Sequence, residues 1–284
     1  MWLVLAAGLS VLGSSAILIR FASEAPGLVV AVWRTVFAVL LLAPVAWPKA
    51  APALRRLPGR DLALIGAAGV LLGLHFILWI ESLYHTSVAS ASVLVTTSPL
   101  FIAALGYLVL RERLRRRTVL AIGTAVIGGA LIGLADAQAG VFPRAGLGNT
   151  LALLAALLFS VYILIGRAVR QRMEFLAYLF PLYGVAAMTC VVGALLRGVP
   201  LVPSWPVLGL CLLMALGPQL LGHGAFNYAV RYLPAALLGL LSLTEPIVAS
   251  LLALMLFGEA PAPLALLGIG IVLLSIAVVF VRRR

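Results

Sequence analysis

The sequence predicts an all-α integral membrane protein with ten transmembrane helices arranged as two five-helix inverted repeats. Three observations lead there. First, the 284 residues are 64% hydrophobic and 10% charged, with a mean hydropathy of +1.21; an ordinary soluble domain is about 45–50% apolar and about 25% charged. A soluble fold of this composition could not cover itself with polar surface, and a disordered chain needs the opposite balance. Second, apolar runs of spanning length recur between short polar junctions. Third, the chain matches itself at a fixed offset.

The spans fall at roughly 2–20, 27–47, 62–82, 87–110, 118–135, 148–166, 175–196, 206–228, 234–257 and 264–281. About 20 apolar residues cross a bilayer core, so ten spans leave no room for a soluble catalytic domain. Only helices or closed barrels satisfy the backbone in lipid, and these runs lack the alternation of barrel strands. The first run has no basic leader region or obvious cleavage site and reads as a retained span.

The basic residues orient the spans. Lys49, Arg55, Arg56 and Arg60, then Arg111, Arg113, Arg115, Arg116 and Arg117, then Arg167, Arg170, Arg172 and Arg231, and finally Arg282, Arg283 and Arg284 fall on one side. Only Arg20, Arg144 and Arg197 fall on the other. By the positive-inside rule both termini are cytoplasmic, in the cytoplasmic (inner) membrane of the cell. The net charge of +12 is thereby a topology signal and implies no nucleic-acid partner. Cys190 and Cys211 lie in different apolar runs and read as buried free thiols, with neither a metal site nor a disulfide framework.

An offset of 147 residues carries Arg20 onto Arg167 and Ala89, Leu94, Thr97, Pro99, Leu105 and Glu112 onto Ala236, Leu241, Thr244, Pro246, Leu252 and Glu259. Leu120, Ile122 and Gly123 fall likewise on Leu267, Ile269 and Gly270. The halves are 1–137 and 148–284, joined by the loop 138–147. Each holds five spans, an odd number, so the second enters the membrane from the opposite side. Such inverted repeats are typical of secondary transporters working around a midplane site.

Two stretches carry a resemblance to a family. Glu81 to Leu114, ESLYHTSVASASVLVTTSPLFIAALGYLVLRERL, and Tyr228 to Ala260, YAVRYLPAALLGLLSLTEPIVASLLALMLFGEA, each run from a tyrosine-containing junction through a small-residue helix with a central Pro to a terminal Glu. Both resemble the end of a five-helix EamA repeat, and the whole chain is similar to the EamA-type transporters of the drug/metabolite transporter superfamily. The first junction, Tyr84-His85, departs from the basic-aromatic form of Arg231-Tyr232. The resemblance implies ten spans in two repeats and export of amino acids or other small metabolites. It also implies a cavity surrounded by the first, third, fourth, sixth, eighth and ninth helices. It implies no cofactor.

Ionisable and polar groups inside spans are costly and mark functional candidates. Glu245 lies mid-span in Ser242-Leu243-Thr244-Glu245-Pro246, with Ser98 in Thr96-Thr97-Ser98-Pro99 as its repeat-mate. Pro99 and Pro246 remove bonds to the carbonyls of Val95 and Ser242, giving paired mid-membrane hinges. These residues mark a substrate pathway, or Glu245 bonds a neighbouring helix. On an unbroken helix Ser87, Ser90, Thr97 and Ser98 share one hydroxyl face, suited to a cavity or to helix association.

His75 and His223 sit mid-span in the two halves, with Trp79 one turn after the first and Asn227 one turn after the second. Ser14 and Ser15 in the first span, and Ser160 and Tyr162 in the sixth, complete the pathway candidates. Arg34 reads as an ion pair with Glu81 or Glu24, or as a snorkelling cation. Gly129 and Gly133 form a GxxxG helix-contact motif.

Other chemistries are excluded. The single lysine, Lys49, follows Pro48 in a loop, so there is neither a Walker A motif nor an intramembrane Schiff-base lysine. Asp61 and Asp136 lie at span ends, away from any aspartyl-protease position, and no HExxH occurs. The expectation is a carrier that moves a small organic solute by alternating access, with the bilayer as its other partner. The rivals are an intramembrane hydrolase pairing Ser14 or Ser160 with His75 or His223, and a passive channel. The sequence specifies no oligomeric state, coupling ion or direction.

Overall fold

The computed structural model describes residues 2–110, 116–233, 242 and 244–280. Arg111, Glu112, Arg113, Arg115, Ala236, Leu241, Leu243 and Arg282 to Arg284, used above for topology, repeat and site, lie outside the described residues. The described elements are helical throughout. The first apolar run is divided into α1 (Trp2–Leu12) and α2 (Ser15–Phe21) by a turn at Gly13-Ser14. Next come α3 (Gly27–Arg56), α4 (Gly59–His85), α5 (Val88–Val95) and α6 (Ser98–Leu110). They are followed by α7 (Arg116–Ala139), α8 (Ala145–Arg170), α9 (Phe175–Leu196) and α10 (Trp205–Met214). A π-helical segment, Ala215–His223, leads into α11 (Gly224–Ala229), and α12 (Thr244–Phe257) and α13 (Pro263–Phe280) complete the order.

Six helical stretches among the described residues are long and apolar enough to cross a membrane: Gly27–Arg56, Gly59–His85, Val119–Asp136, Ala145–Arg170, Phe175–Leu196 and Trp205–Ala229. Four shorter apolar stretches accompany them, Leu5–Phe21, Val88–Ile102, Thr244–Phe257 and Pro263–Val278. Large side chains such as Leu40, Val126, Met188, Leu196 and Met255 stay exposed on the perimeter, as lipid-facing positions require.

Proline shapes three of these elements differently. Pro99 cannot donate to the carbonyl of Val95, and α5 stops there; Thr96 and Thr97 form a turn before α6. Pro218 falls inside the π-helical segment, a wider turn that is rare and often found at functional sites. In α3, Pro44, Pro48 and Pro52 are all intrahelical. The expected loop at Pro48-Lys49 is therefore overturned. The three prolines recur every four residues on one exposed face among helix-forming alanines, so the missing bonds lie along one side and the rest of the helix continues to Arg56.

The long helices pair through small residues. α4 packs most extensively on α8, α7 on α13, and α3 on α9, with α1 against the π-helical segment and α5 against α12. Gly69 and Gly73 of α4 leave no room for a methyl group, which would sit 2.5 Å from Val185 Cβ and 2.7 Å from Thr189 Cβ. Between α7 and α13, Gly128 and Gly268 bring backbones together: a Cβ on Gly268 would lie 2.6 Å from the Gly128 carbonyl oxygen. The expected Gly129/Gly133 contact is displaced to this pair. A Cβ on Gly129 would meet only Leu94, at 3.7 Å, and one on Gly133 would meet nothing.

Polar networks occupy the two ends. At one, Arg20 pairs with Glu259 and donates to the Thr86 carbonyl (2.7 Å). Asp136 there accepts from Thr86 (3.1 Å), Asn149 (2.9 Å) and Ser90 (3.1 Å). At the other, Lys49 meets Glu174 (3.0 Å) and Arg172 meets Asp61 (3.8 Å). Cys190 and Cys211 are free and buried.

Candidate functional site

Between the two ends a small cavity of about 40 Å³ is enclosed by described residues from both halves. It has room for a few waters, since one needs about 10–15 Å³ by this measure. α1 and α2 contribute Leu12 and Ser15 from either side of the Gly13-Ser14 turn. Glycine at 13 permits this approach, because a Cβ there would lie 2.6 Å from Val248 Cβ on α12. α4 contributes His75 and Trp79, and the break between α5 and α6 contributes Val95, Thr96 and Ser98. Phe159 of α8, His223 of the π-helical segment and Phe226 of α11 form an aromatic wall, and Ser242 and Glu245 complete the lining.

Ring contacts hold the imidazoles in place. His75 and His223 have centroids 6.0 Å apart, and Phe76 meets His223 edge-on at 5.0 Å. His75 Nδ1 lies 2.9 Å from the Ala155 carbonyl. A carbonyl only accepts, so Nδ1 carries the proton of the neutral ring and Nε2 is its acceptor. Glu245 is half-buried at the start of α12. Seven expected pathway residues thus share one cavity: Ser15, His75, Trp79, Ser98, His223, Ser242 and Glu245.

The remaining five take supporting positions. Ser14 Oγ donates to the Val11 carbonyl (2.7 Å) and Thr97 Oγ1 to that of Leu94 (2.7 Å), closing the turns at the two helix breaks. The Ser160 hydroxyl lies within bonding distance of the Ser98 (2.9 Å) and Ala156 (2.7 Å) carbonyls. It thereby caps a carbonyl at the α5–α6 break. Asn227 Nδ2 reaches the His223 carbonyl (2.9 Å) and the Tyr162 hydroxyl (3.4 Å). Ser87 and Ser90 leave the expected hydroxyl face for the polar network at the helix end, because the break at Thr96-Thr97 interrupts the helical register that would have aligned them.

Arg34 is the main correction. Glu81 pairs with His85 (3.2 Å) and Glu24 accepts from the Ser204 hydroxyl. Arg34 is fully buried instead, its Nη2 donating to Gln219 Oε1 at 2.8 Å and its Cζ 4.4 Å from the Phe76 ring centroid. Gln219, Phe159 and Phe226 were not singled out from sequence. An amide beside a mid-span Pro was a readable signal for the first, whereas the two phenylalanines resemble any packing residue.

Known proteins place this architecture. A family model described as the EamA-like transporter family matches residues 1–134 and again 146–281. The chain belongs to that family. As an EamA-like protein it is a multi-pass membrane transporter. A Clostridium kluyveri protein described as an uncharacterized transporter is 24% identical over 230 residues, covering 78% of this chain and 72% of that one. A solved crystal structure, 19% identical, matches with a TM-score of 0.68 over 98% of this chain and 95% of its own. The EamA-like fold is thus shared with an experimental structure over nearly its whole length.

Proposed function

We propose that this EamA-like protein exports amino acids or related small organic metabolites across the cytoplasmic membrane by alternating access, with ten spans in two inverted repeats. The carrying observation is the mid-bundle cavity, to which helices of both halves bring polar side chains at broken helices. In the proposed count, the four shorter apolar stretches complete the six long ones.

The packing supports the repeat. Under the 147-residue offset, α3 corresponds to α9 and α7 to α13, and each of these partners packs against the other. The α4–α8 contact likewise corresponds to that between the π-helical segment and α1. This pattern fits two halves related by a two-fold axis, as the proposed inverted repeat requires.

At about 40 Å³ the cavity is far below the roughly 300–1,000 Å³ of a ligand pocket. Transport therefore requires it to widen, and the breaks at Gly13-Ser14 and Thr96-Thr97 are where the proposed rocking bends the helices, with Pro99 and Pro246 as hinges. Ser14, Ser15, His75, Trp79, Thr97, Ser98, Ser160, Tyr162, His223, Asn227, Ser242 and Glu245 form or support the pathway. The hydrolase rival is weakened by geometry: the Ser14 and Ser160 hydroxyls are directed to backbone carbonyls.

Counterflow in proteoliposomes preloaded with amino acids, nucleosides or sugars tests the reading. Saturable exchange of amino acids is expected. Unsaturable conductance would favour a channel, and covalent turnover without flux a hydrolase.

A further inference from the structure

Among the described residues no anion pairs with the buried guanidinium of Arg34. Its Nη2 donates to the neutral amide of Gln219, while Nε and Nη1 have no hydrogen-bond partner among the described residues. None of the ion pairs among the described residues involves it. Gln219 Nε2 and His223 Nδ1 are also buried and without a partner among the described residues. Three of these four atoms can only donate, and the fourth donates in one tautomer. The π-helical segment carries both residues: it brings the amide to the guanidinium and the imidazole to Phe76, the ring against which the guanidinium packs.

This donor cluster borders the cavity. His223 lines the cavity, and its ring packs edge-on against Phe76, over which Arg34 sits. Glu245 supplies a carboxyl group to the same cavity. Of the donor cluster, His223 lines the cavity while Arg34 and Gln219 lie behind it, and the Glu245 carboxyl stands elsewhere in the lining.

We propose that Arg34, Gln219 and His223 form the receptor for a substrate carboxylate, and that Glu245 receives the ammonium group of the same zwitterion. Arginine suits this role because its planar fork matches a carboxylate in bidentate fashion. The Phe76 and His223 rings stand between the guanidinium and the cavity, so the carboxylate engages as the cavity widens. This inference rests on the transport reading and narrows the substrate class to α-amino acids.

The test uses the full chain in proteoliposomes and the twenty proteinogenic amino acids, each beside its primary amide and its decarboxylated amine, with nucleosides as carboxylate-free solutes. The wild type is expected to exchange at least one amino acid and to discriminate against its amide by about tenfold or more, since a site built to bond a group rejects the analogue lacking it. Arg34→Gln should abolish that discrimination. Gln219→Glu should occupy the guanidinium with an internal carboxylate, raising the melting temperature while lowering amino-acid exchange about tenfold.

Equal exchange of acid and amide, or discrimination that survives in folded Arg34→Gln, would overturn the proposal. If Arg34→Gln does not fold, unchanged KM in Gln219→Glu overturns it instead. Exchange of nucleosides alone defeats this inference while leaving the carrier reading intact, whereas no saturable flux of any solute defeats both.

Discussion

Arg20 and Glu259 form an ion pair at 3.3 Å between the end of α2 and the segment following α12. Both side chains are mostly shielded, at 15% and 22% exposure, and each has a second partner. Arg20 also donates to the Thr86 carbonyl, and Glu259 accepts from the Val88 backbone N–H at 3.0 Å. The pair thus joins a helix of the first half to the segment following α12 in the second, across the α4–α5 junction. In an alternating-access carrier, such a clasp belongs to the state closed at this end.

Removing the clasp should favour the state open at that end. An exposed ion pair is worth about 0.2–1 kcal/mol; this one is shielded and networked, so Glu259→Gln should shift the equilibrium by about 1 kcal/mol, near fivefold. Labelling of Ser15→Cys by a membrane-impermeant maleimide from the Arg20 side should accelerate accordingly. The native thiols, Cys190 and Cys211, are buried and provide a low background. Unchanged labelling would mean that the pair does not hold the state.

The repeat makes a prediction of opposite sign. The 147-residue offset carries Arg20 onto Arg167 and Glu259 onto Glu112. Arg167 is exposed here, as the mirror clasp should be when the other is closed; Glu112 lies outside the described residues. Arg167→Gln should slow labelling of Ser15→Cys from the Arg20 side by a similar factor of about five. Acceleration by both variants would count against mirrored clasps.

The break between α5 and α6 invites a repair. Pro99→Ala restores a donor for the Val95 carbonyl, adding about one net hydrogen bond, worth about 0.5–1.5 kcal/mol, and removing a helix breaker. The straightened helix should be at least as stable in detergent but move poorly, so kcat for exchange should fall severalfold while KM changes less. A variant with wild-type kcat would show that the break is only structural.

These positions differ in how visible they were beforehand. His75, His223 and Glu245 were legible because ionisable groups are rare inside apolar runs, and that rarity needs no tertiary information. Arg34 was equally visible, but its partner was not: Gln219 lies 185 residues away, on a π-helical turn that a 3.6-residue periodicity cannot anticipate. The displacement of Ser87 and Ser90 has the same origin, since an unbroken helix was assumed across Thr96-Thr97. The six long apolar stretches were readable from hydropathy, whereas the extension of α3 through Pro48 depended on three prolines sharing one face.

The closest backbone approach offers a stability prediction that also separates two glycine readings. A Cβ on Gly268 would lie 2.6 Å from the Gly128 oxygen and 3.0 Å from Ile132 N, both backbone atoms that cannot swing aside. Gly268→Ala should therefore force α7 and α13 apart and destabilise by about 1–3 kcal/mol, the usual range for overpacking. Gly133→Ala meets nothing and should be neutral or slightly stabilising, by up to about 1 kcal/mol from helix propensity. Thermal unfolding in one detergent compares them directly. If Gly133→Ala proved the more damaging, the helices would be meeting along the GxxxG face rather than at Gly128 and Gly268.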